Sequence, residues 1–296
     1  MNEYHIPVLL DEILSFLVKE KNGIYIDTTF GGGGHSLSLL NKLSNKGRVI
    51  AFDKDIDSIK NNNILDARFN LIKTNYRFIK KKIKLFNINK VSGILADLGI
   101  SSHQINSPKR GFSIRYNSLL DMRMDTYKKI NAQHIINNYS YNELYNLLIR
   151  FGEVKNAKNI SKLILKHRKK KSIKYTFDII NILNIFNKKN KFLSKIFQSL
   201  RIEVNNEINA LKYLLKNSLS ILKPGCRIAV ISYHSIEDRI VKKFLKTGNF
   251  NGDEYGNNFS PLILLEPRII FSSKEEKKEN NRSRSAILRI AEKKIL

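Results

Sequence analysis

The chain has 296 residues, enough for about two domains, and its 42% hydrophobic residues suffice for a full core. Its formal net charge of +27 favours a polyanionic partner, above all nucleic acid, although lysine enrichment from an AT-rich genome would give the same excess. The single cysteine, Cys226, excludes an internal disulfide and suits a reducing cytoplasm. We expect no signal peptide, because the leader pattern is missing, and no membrane span, because no apolar run reaches about 18 residues.

The first hundred residues alternate between predicted helices and strands. A helical pattern in "PVLLDEILSFLVK" precedes the β-rich run "GIYIDTT", the helix "HSLSLLNKL" and the strand "GRVIAFD". A polar helix from about Asp55, the strand "FNLIKTN", the helix "RFIKKKIKLF" and the strand "VSGILADLG" follow. This alternation predicts an α/β fold in which helices cover both faces of a parallel sheet.

A basic helical insertion is predicted next. The strands stop after about Ile105, and helical patterns follow in "AQHIINNYSYNELYNLLIRFG", "VKNAKNISKLILKHRKK" and "TFDIINILNIF". Residues 127–200 contain 16 Lys and Arg but only three acidic residues. We therefore expect residues 106–198 to form an all-helical domain, inserted into a discontinuous core of residues 1–105 and 199–296.

The α/β pattern then resumes. An amphipathic helix over "IEVNNEINALKYLLKNSLSILKPG", stopped by Pro224 and Gly225, leads into the strand "CRIAVIS", and a late strand is predicted in "SAILRIAEK". Between these strands, "SSKEEKKENNRSRS" has few apolar residues and is predicted to be a mobile loop.

Three ligand-type groups lie at predicted strand ends. The glycines 31–34 follow the first strand, where a missing Cβ lets a ligand pack on the backbone, although an ordinary flexible turn has the same composition. Asp53 ends the second strand and suits either ribose hydroxyls or a helix cap, and Asp97 ends the fourth. A dinucleotide and S-adenosylmethionine both fit this pattern. Ser36 at the third glycine position of the dinucleotide motif favours S-adenosylmethionine, which carries no phosphate.

The segment "GILADLGISSHQINSPKRGFSIRYNSLLDMRMD" interleaves arginines with aromatic residues. Guanidinium groups bind phosphates as a fork and aromatic rings stack on unpaired bases, which predicts RNA contacts for Arg110, Phe112, Arg115 and Arg123. The alternative is a structured loop that these arginines hold together by pairing with its aspartates. The lysine-rich run 166–171 is likewise either a contact to the RNA backbone or a solvated helix face.

Eight motifs follow one another along the chain: "HIPVLLDEIL", "GGGGHS", "GILADLGISSHQ", "RGFSIR", "LDMRMD", "FQSLRIEVNNE", "AVISYHSIEDR" and "RSRSAILRIAEK". In their order and spacing the chain resembles the bacterial 16S rRNA N4-cytosine methyltransferases, the RsmH or MraW family. The chain departs from the family pattern in "SSHQ", "FGEV" and "FLSKIFQSLRI", which lie in or beside the insertion.

The resemblance implies a Rossmann-like class I S-adenosylmethionine-dependent methyltransferase with an inserted RNA-recognition domain. It implies transfer to N4 of cytidine 1402, in the decoding centre of 16S rRNA, with free rRNA or the small ribosomal subunit as partner. Family members often form dimers, so a homodimer in the cytoplasm is compatible with the resemblance. Carried over position by position, the cofactor contacts fall on Gly33, Gly34, His35, Asp53, Tyr76, Asp97 and Gln104.

For catalysis we expect Asp97 and nearby carbonyls to accept the hydrogens of the cytosine amino group, with His234 as a candidate base. A lone histidine is more often a structural hydrogen-bonding group, and His35 is expected to position the cofactor. No ligand spacing predicts a zinc or magnesium site. Two alternatives remain: a nicotinamide oxidoreductase, disfavoured by the missing third glycine and the basic insertion, and a non-catalytic ribosome-assembly factor, disfavoured because the glycines and both aspartates are present.

Overall fold

A computed structural model describes residues 7–186, 190–250 and 260–295. The chain divides into two compact units, Met1–Gly99 with Ile208–Leu296, and Ile100–Glu207. The boundaries predicted from the sequence, 105/106 and 198/199, differ because each falls within a helix of the second unit.

The strands are β1 Ile24–Asp27, β2 Arg48–Asp53, β3 Phe69–Lys73, β4 Val91–Asp97, β5 Leu222–Ser232, β6 Leu262–Leu264, β7 Ile270–Phe271 and β8 Ile287–Lys293. The helices of the first unit are α1 Leu10–Leu17, α2 Gly34–Lys42, α3 Ile56–Lys60, α4 Ile79–Ile83, α11 Glu207–Ile221, α12 Ser235–Thr247 and α13 Lys274–Glu279, of which α11 begins one residue before the boundary. The helices of the second unit are α5 Ser102–Asn106, α6 Ala132–Asn138, α7 Tyr141–Gly152, α8 Ala157–Arg168, α9 Thr176–Leu183 and α10 Asn190–Asn205.

One mixed sheet organises the first unit, in the order β3-β2-β1-β4-β5-β8-β6, with β7 also paired to β8. The first five strands are parallel, and β8 runs antiparallel to β5, β6 and β7. The order reverses between β1 and β4, so their carboxyl ends form the crevice in which doubly wound sheets bind ligands. The Rossmann-like α/β prediction is confirmed, and the antiparallel edge adds two short strands that the sequence did not predict.

Alternate residues of the sheet pack into two separate cores. On β4, Ile94 and Ala96 pack in a cluster that includes side chains from α4, α11 and α12, whereas Leu95 packs in a cluster with side chains from α1 and α2. The strand is buried throughout except for Asp97 at its end. Helices therefore cover both faces, as expected for parallel strands that are continuously apolar.

Two segments of the first unit differ from their predictions. The predicted long helix is interrupted at Asn206, whose φ of 51° is left-handed, and α11 ends at Ile221, before Pro224 and Gly225. Those two residues lie within β5, where the pairing with β4 shifts register. The segment predicted to be a mobile loop contains α13 and a short 3-10 turn, because Ser273 caps the helix by accepting a hydrogen bond from the Glu276 amide.

The second unit has a helical core of its own. Its buried side chains include Leu144 and Leu148 of α7, Ile160 of α8, and Ile196 and Leu200 of α10. The helix predicted over residues 132–152 is two helices, since Ser140 starts α7 with a capping box to Glu143. Among the described residues, no helix combines the length and the apolar character needed to cross a membrane.

Candidate active site

The glycine loop between β1 and α2 is fastened to both neighbouring strands. The amide and the hydroxyl of Thr28 each donate to the Leu95 carbonyl of β4 at 2.9 Å, and the Phe30 amide donates to the Phe52 carbonyl of β2 at 2.9 Å. The Gly33 amide then closes a turn onto the Phe30 carbonyl at 2.7 Å. The loop is therefore a fixed surface at the ligand-binding edge of the sheet.

Two of the four glycines have left-handed backbones with different surroundings. Gly33 caps α2 with a φ of 80°, and a Cβ there would lie 2.8 Å from Cζ of Phe30. Gly31 has a φ of 54°, but its nearest neighbour to an added Cβ would be the Thr29 carbonyl oxygen at 3.8 Å. Gly33 thus requires glycine for both conformation and space, whereas Gly31 leaves bare backbone open to a ligand.

Asp53 connects the end of β2 to this loop. Its Oδ2 accepts a 2.9 Å hydrogen bond from the Gly31 amide, and its Oδ1 accepts one of 2.9 Å from the Asp55 amide. The cap of α3 is Asp55, which accepts from the Asp57 amide at 3.0 Å, so Asp53 is not the helix cap. Burial raises the pKa of Asp53 above its ordinary value. Its contact with a cofactor remains a prediction.

Asp97 lies in a cluster of polar side chains at the end of β4. Its Oδ1 accepts a 2.6 Å hydrogen bond from the Tyr233 hydroxyl. Its Oδ2 lies 3.6 Å from Nη2 of Arg282 and 3.9 Å from Nδ1 of His35. The Asp97 amide donates to the Thr29 hydroxyl at 2.7 Å, which joins this cluster to the glycine loop.

His35 connects the same cluster to the start of the described chain. Its buried ring lies in the first turn of α2, and Nε2 is 3.0 Å from the Val8 carbonyl. A carbonyl only accepts, so this bond requires the proton on Nε2. The contact fixes the orientation of the His35 ring. Its contact with a cofactor remains a prediction.

Asp27, the residue that ends β1, was not among the site residues predicted from the sequence. It is fully buried, and its carboxyl group accepts from the Thr29 amide at 3.0 Å and from the Ser36 hydroxyl at 2.7 Å. Burial raises the pKa of Asp27. Asp27 could have been predicted from the sequence, because it ends a predicted strand, as Asp53 and Asp97 do.

Tyr233 and Arg282 are two further residues that the sequence analysis missed. Tyr233 directly follows β5, and Gly99, with a φ of 96°, would place a Cβ 3.2 Å from the Tyr233 ring. The guanidinium carbon of Arg282 lies 5.4 Å from the centre of that ring. Burial, with the neighbouring Asp97 charge, raises the pKa of Tyr233 well above 10.0, so its hydroxyl remains a donor. The position of Tyr233 at the end of a predicted strand was a signal that could have found it, whereas no local sequence pattern pointed to Arg282.

The motif "HSIEDR" fixes the turn that carries Tyr233. His234 caps α12 by accepting from the Glu237 amide at 3.3 Å, and its Nε2 lies 3.2 Å from Glu237 Oε1. Glu237 Oε2 accepts from the Tyr233 amide at 3.1 Å. Asp238 pairs with the buried Arg289 of β8 at 2.7 Å. These contacts give His234 a structural role, and its role in the reaction remains a prediction.

Two predicted cofactor residues lie in different units. Tyr76 starts a 3-10 turn after β3, half-buried against the core, and the Thr74 amide just before it donates to the Asp53 carbonyl at 2.8 Å. Gln104 lies in α5 of the second unit, where its side chain accepts from the Ser101 amide at 3.1 Å in a capping box. Cofactor contacts for both remain predictions.

In the second unit, three of the predicted RNA-binding side chains, Phe112, Arg123 and Arg110, are engaged within the protein. Phe112 is 7% exposed and belongs to the hydrophobic core. Arg123 makes a two-pronged pair with Asp121, with both bonds at 2.7 Å, and donates to the Thr126 carbonyl at 3.0 Å. Arg110 donates to the Arg123 carbonyl at 2.9 Å. These contacts favour the structured-loop alternative for Phe112 and Arg123.

Other cations of the second unit are exposed. Arg115 lies 5.4 Å from the centre of the Tyr116 ring and donates to Asn106 at 2.8 Å, with its side chain open to solvent. In the run 166–171, only Arg168 is half-buried, donating to two carbonyls of the α6 end at 2.8 and 2.7 Å. The other five residues of the run are exposed, so they remain candidates for RNA contact.

Comparison with known proteins gives a full-length match. Residues 2–294 match the model of the MraW methylase family. A Ribosomal RNA small subunit methyltransferase H from Karelsulcia muelleri is 94% identical, and the match covers 100% of both chains. Proteins of the same name from Cytophaga hutchinsonii and Flavobacterium johnsoniae are 47% and 46% identical, with 98% of this chain and 99% and 98% of theirs covered. The chain therefore belongs to the MraW methylase family.

Proposed function

We propose that the chain transfers a methyl group from S-adenosylmethionine to N4 of cytidine 1402, in the decoding centre of 16S rRNA. The chain is a methyltransferase of small-subunit ribosomal RNA, and the observation that carries this is its full-length identity of 94% to a Ribosomal RNA small subunit methyltransferase H. The choice of cytidine N4 rests on the resemblance of motifs. Free rRNA or the assembled small subunit would be the substrate.

The residues at the sheet edge fit S-adenosylmethionine, which supplies an electrophilic methyl group when bound. Gly31 offers open backbone, as required for close packing of an adenosyl or methionyl group. The Asp53 carboxylate has about four acceptor positions, of which two backbone amides and the Ser58 hydroxyl use three, so one remains for a ribose hydroxyl. Asp27 binds Ser36 in the first turn of α2, and a carboxyl group there disfavours the pyrophosphate of a dinucleotide.

Asp97 is the group we assign to the amino hydrogens of cytosine. The amino lone pair is delocalised into the ring, so an acceptor that holds the N–H bonds in place helps to aim the lone pair. Tyr233 and Arg282 fix the Asp97 carboxylate from two sides, which pre-orients it before substrate arrives. Much of the rate would come from this positioning, with polar groups aimed at the charge that develops on N4.

The test is mass spectrometry of the rRNA fragment that contains cytidine 1402, after unmethylated small subunits are incubated with the protein and the methyl donor. The proposal expects one added methyl group on that nucleotide. The Asp97→Ala variant should transfer no methyl group in a single turnover. Near-normal transfer by this variant would remove Asp97 from the mechanism.

Two other functions predict different results. A non-catalytic assembly factor would bind small subunits without changing the mass of the fragment. A nicotinamide oxidoreductase would bind NAD in a calorimetric titration, where the proposal expects binding of S-adenosylhomocysteine alone. The cytoplasmic location and the homodimer remain predictions, and sedimentation of the purified protein tests the second.

A further inference from the structure

Two segments of the second unit form a short antiparallel ribbon. The Leu120 amide donates to the Lys174 carbonyl at 2.9 Å, and the Thr176 amide donates to the Ser118 carbonyl at 2.8 Å. Leu119 and Tyr175 are directly opposite each other in this ribbon. Side chains of directly opposed residues lie on the same face of a strand pair, so these two side chains are neighbours.

The two faces of the ribbon are different in character. On the inner face, Ser118 is 6% exposed and Thr176 is fully buried. On the outer face, Leu119 is 53% exposed and Tyr175 is 44% exposed. Phe177, in the first turn of α9, is 39% exposed, and its amide donates to the side chain of Asn117, just before the ribbon, at 3.4 Å. We call Leu119, Tyr175 and Phe177 the ribbon face; it exposes two aromatic rings beside an aliphatic side chain.

The charge around the ribbon face is positive. Exposed cations lie in or near the ribbon segments: Lys174 is within one, Arg115 and Lys171 each come three residues before a segment, and Lys109 follows Pro108, whose carbonyl accepts from the Ser118 hydroxyl. Of the two nearby carboxylates, only Asp121 is neutralised by a cation, which leaves one negative charge against four positive ones. Asp121 is paired with Arg123, and Asp178 accepts from the amides of Lys174 and Tyr175 at 2.9 and 2.8 Å. Two such faces would repel each other, and an acidic partner would be attracted.

We infer that the ribbon face binds unpaired nucleotides of the small-subunit rRNA. Aromatic rings interleaved with Lys and Arg are the features that bind single strands, with bases stacked on the rings and phosphates held by the cations. The surface includes the predicted contact Arg115 but not the core residue Phe112. The inference rests on the proposed function for the identity of the RNA, and on the ribbon geometry for the place of contact.

The test measures binding of a fluorescent single-stranded RNA copied from the segment around cytidine 1402, at several salt concentrations. Tyr175→Ala should weaken binding about tenfold or more, since stacking of one base contributes that much, and Tyr175→Phe should retain binding. Tyr213→Ala is the matched control, because Tyr213 is 58% exposed in the first unit. The double variant Lys171→Gln/Lys174→Gln should reduce the slope of log affinity against log salt by about 1.4.

The inference is overturned if Tyr175→Ala has the same RNA affinity as the Tyr213→Ala control. It is also overturned if Tyr175→Ala changes the sedimentation coefficient of the protein and not its RNA affinity, because the face would then bind a second copy of the chain. Thermal unfolding of each variant excludes misfolding as the cause of lost binding. Failure of the proposed function is distinguishable: the protein would then not methylate the rRNA fragment, whereas RNA affinity at the ribbon face is measured without methyl donor.

Discussion

The Tyr233 hydroxyl donates a 2.6 Å hydrogen bond to Oδ1 of Asp97, across the carboxyl ends of two adjacent parallel strands. Tyr233→Phe removes this donor and leaves the Asp97 carboxylate less fixed. A hydrogen bond to a charged group contributes about 1.5–3 kcal/mol, so we expect single-turnover methyl transfer to slow by about tenfold to a hundredfold. Tyr213→Phe is the matched exposed control. An unchanged rate in Tyr233→Phe would show that the hydroxyl is not needed.

The two left-handed glycines of the loop should respond differently to alanine. Gly31→Ala incurs only left-handed strain, roughly 1 kcal/mol, whereas Gly33→Ala also forces Phe30 to move. We expect Gly33→Ala to lower the thermal midpoint more than Gly31→Ala does, because only the Gly33 methyl group meets Phe30. Gly31→Ala should lower the affinity for S-adenosylhomocysteine more, because its methyl group would occupy the open space that we assign to the ligand. Thermal unfolding and calorimetric titration of both variants measure this, and equal losses of thermal midpoint would mean that the Phe30 contact has no influence.

Asp27 should make stability depend on pH. Burial raises its pKa in the folded protein above the ordinary 3.8, so between these two values the folded state holds more protons than the unfolded state. Stability contributed by this group is therefore present below pH 3.8 and is lost as the pH rises through the folded pKa. Asp27→Asn lacks the titration and can keep both hydrogen bonds, because its amide group can donate to the Ser36 hydroxyl.

Urea unfolding across this pH range compares the two proteins. Asp27→Asn should gain stability relative to the parent chain as the pH rises, with the two curves converging in acid. Parallel curves would contradict a raised pKa at Asp27.

His234 can be tested for a purely structural role. Asparagine is a good helix cap and alanine is a poor one, so the cap of α12 should survive His234→Asn, while His234→Ala loses about 1 kcal/mol of stability. If capping is the whole role, His234→Asn methylates at the parent rate. Loss of transfer in His234→Asn, at parent stability and cofactor affinity, would instead support the predicted base.

Arg123 and Arg115 should separate stability from RNA binding. Arg123→Ala removes a two-pronged pair and leaves Asp121 without it, so we expect the free energy of unfolding to fall by about 1–3 kcal/mol. Arg115→Ala changes an exposed side chain and should alter stability by less than about 0.5 kcal/mol while weakening RNA binding. Thermal unfolding and RNA titration of both variants check this. Equal changes in stability and in RNA affinity for the two variants would contradict this separation.

The sequence was sufficient for the parallel half of the sheet and for two of its strand-end carboxylates. The strands of that half are short, apolar and separated by helices, and Asp53 and Asp97 each end one of them, so local pattern alone locates them. Asp27 has the same local position and would have been found by the same rule.

The contacts of Asp97 could not be predicted from local sequence patterns. Tyr233 reaches it because β5 lies next to β4, and Arg282 reaches it because β8 pairs with β5 in the antiparallel direction. The hydrophobic periodicity of a segment predicts its secondary structure but not which strands lie next to it. The same holds for Phe112, since an aromatic residue between arginines has the same local pattern whether the ring is buried or exposed.

The surroundings of Asp97 come from segments that are synthesised at very different times. His35 is held by Val8, near the start of the described chain, whereas the Arg282 guanidinium comes from the turn just before β8. In a growing chain, all five parallel strands are complete before residue 282 has been added. The carboxylate at the centre of the site therefore acquires its arginine only after the last parallel strand has been synthesised, so a chain that stops before residue 282 can contain every predicted motif up to "HSIEDR" and still lack a finished site.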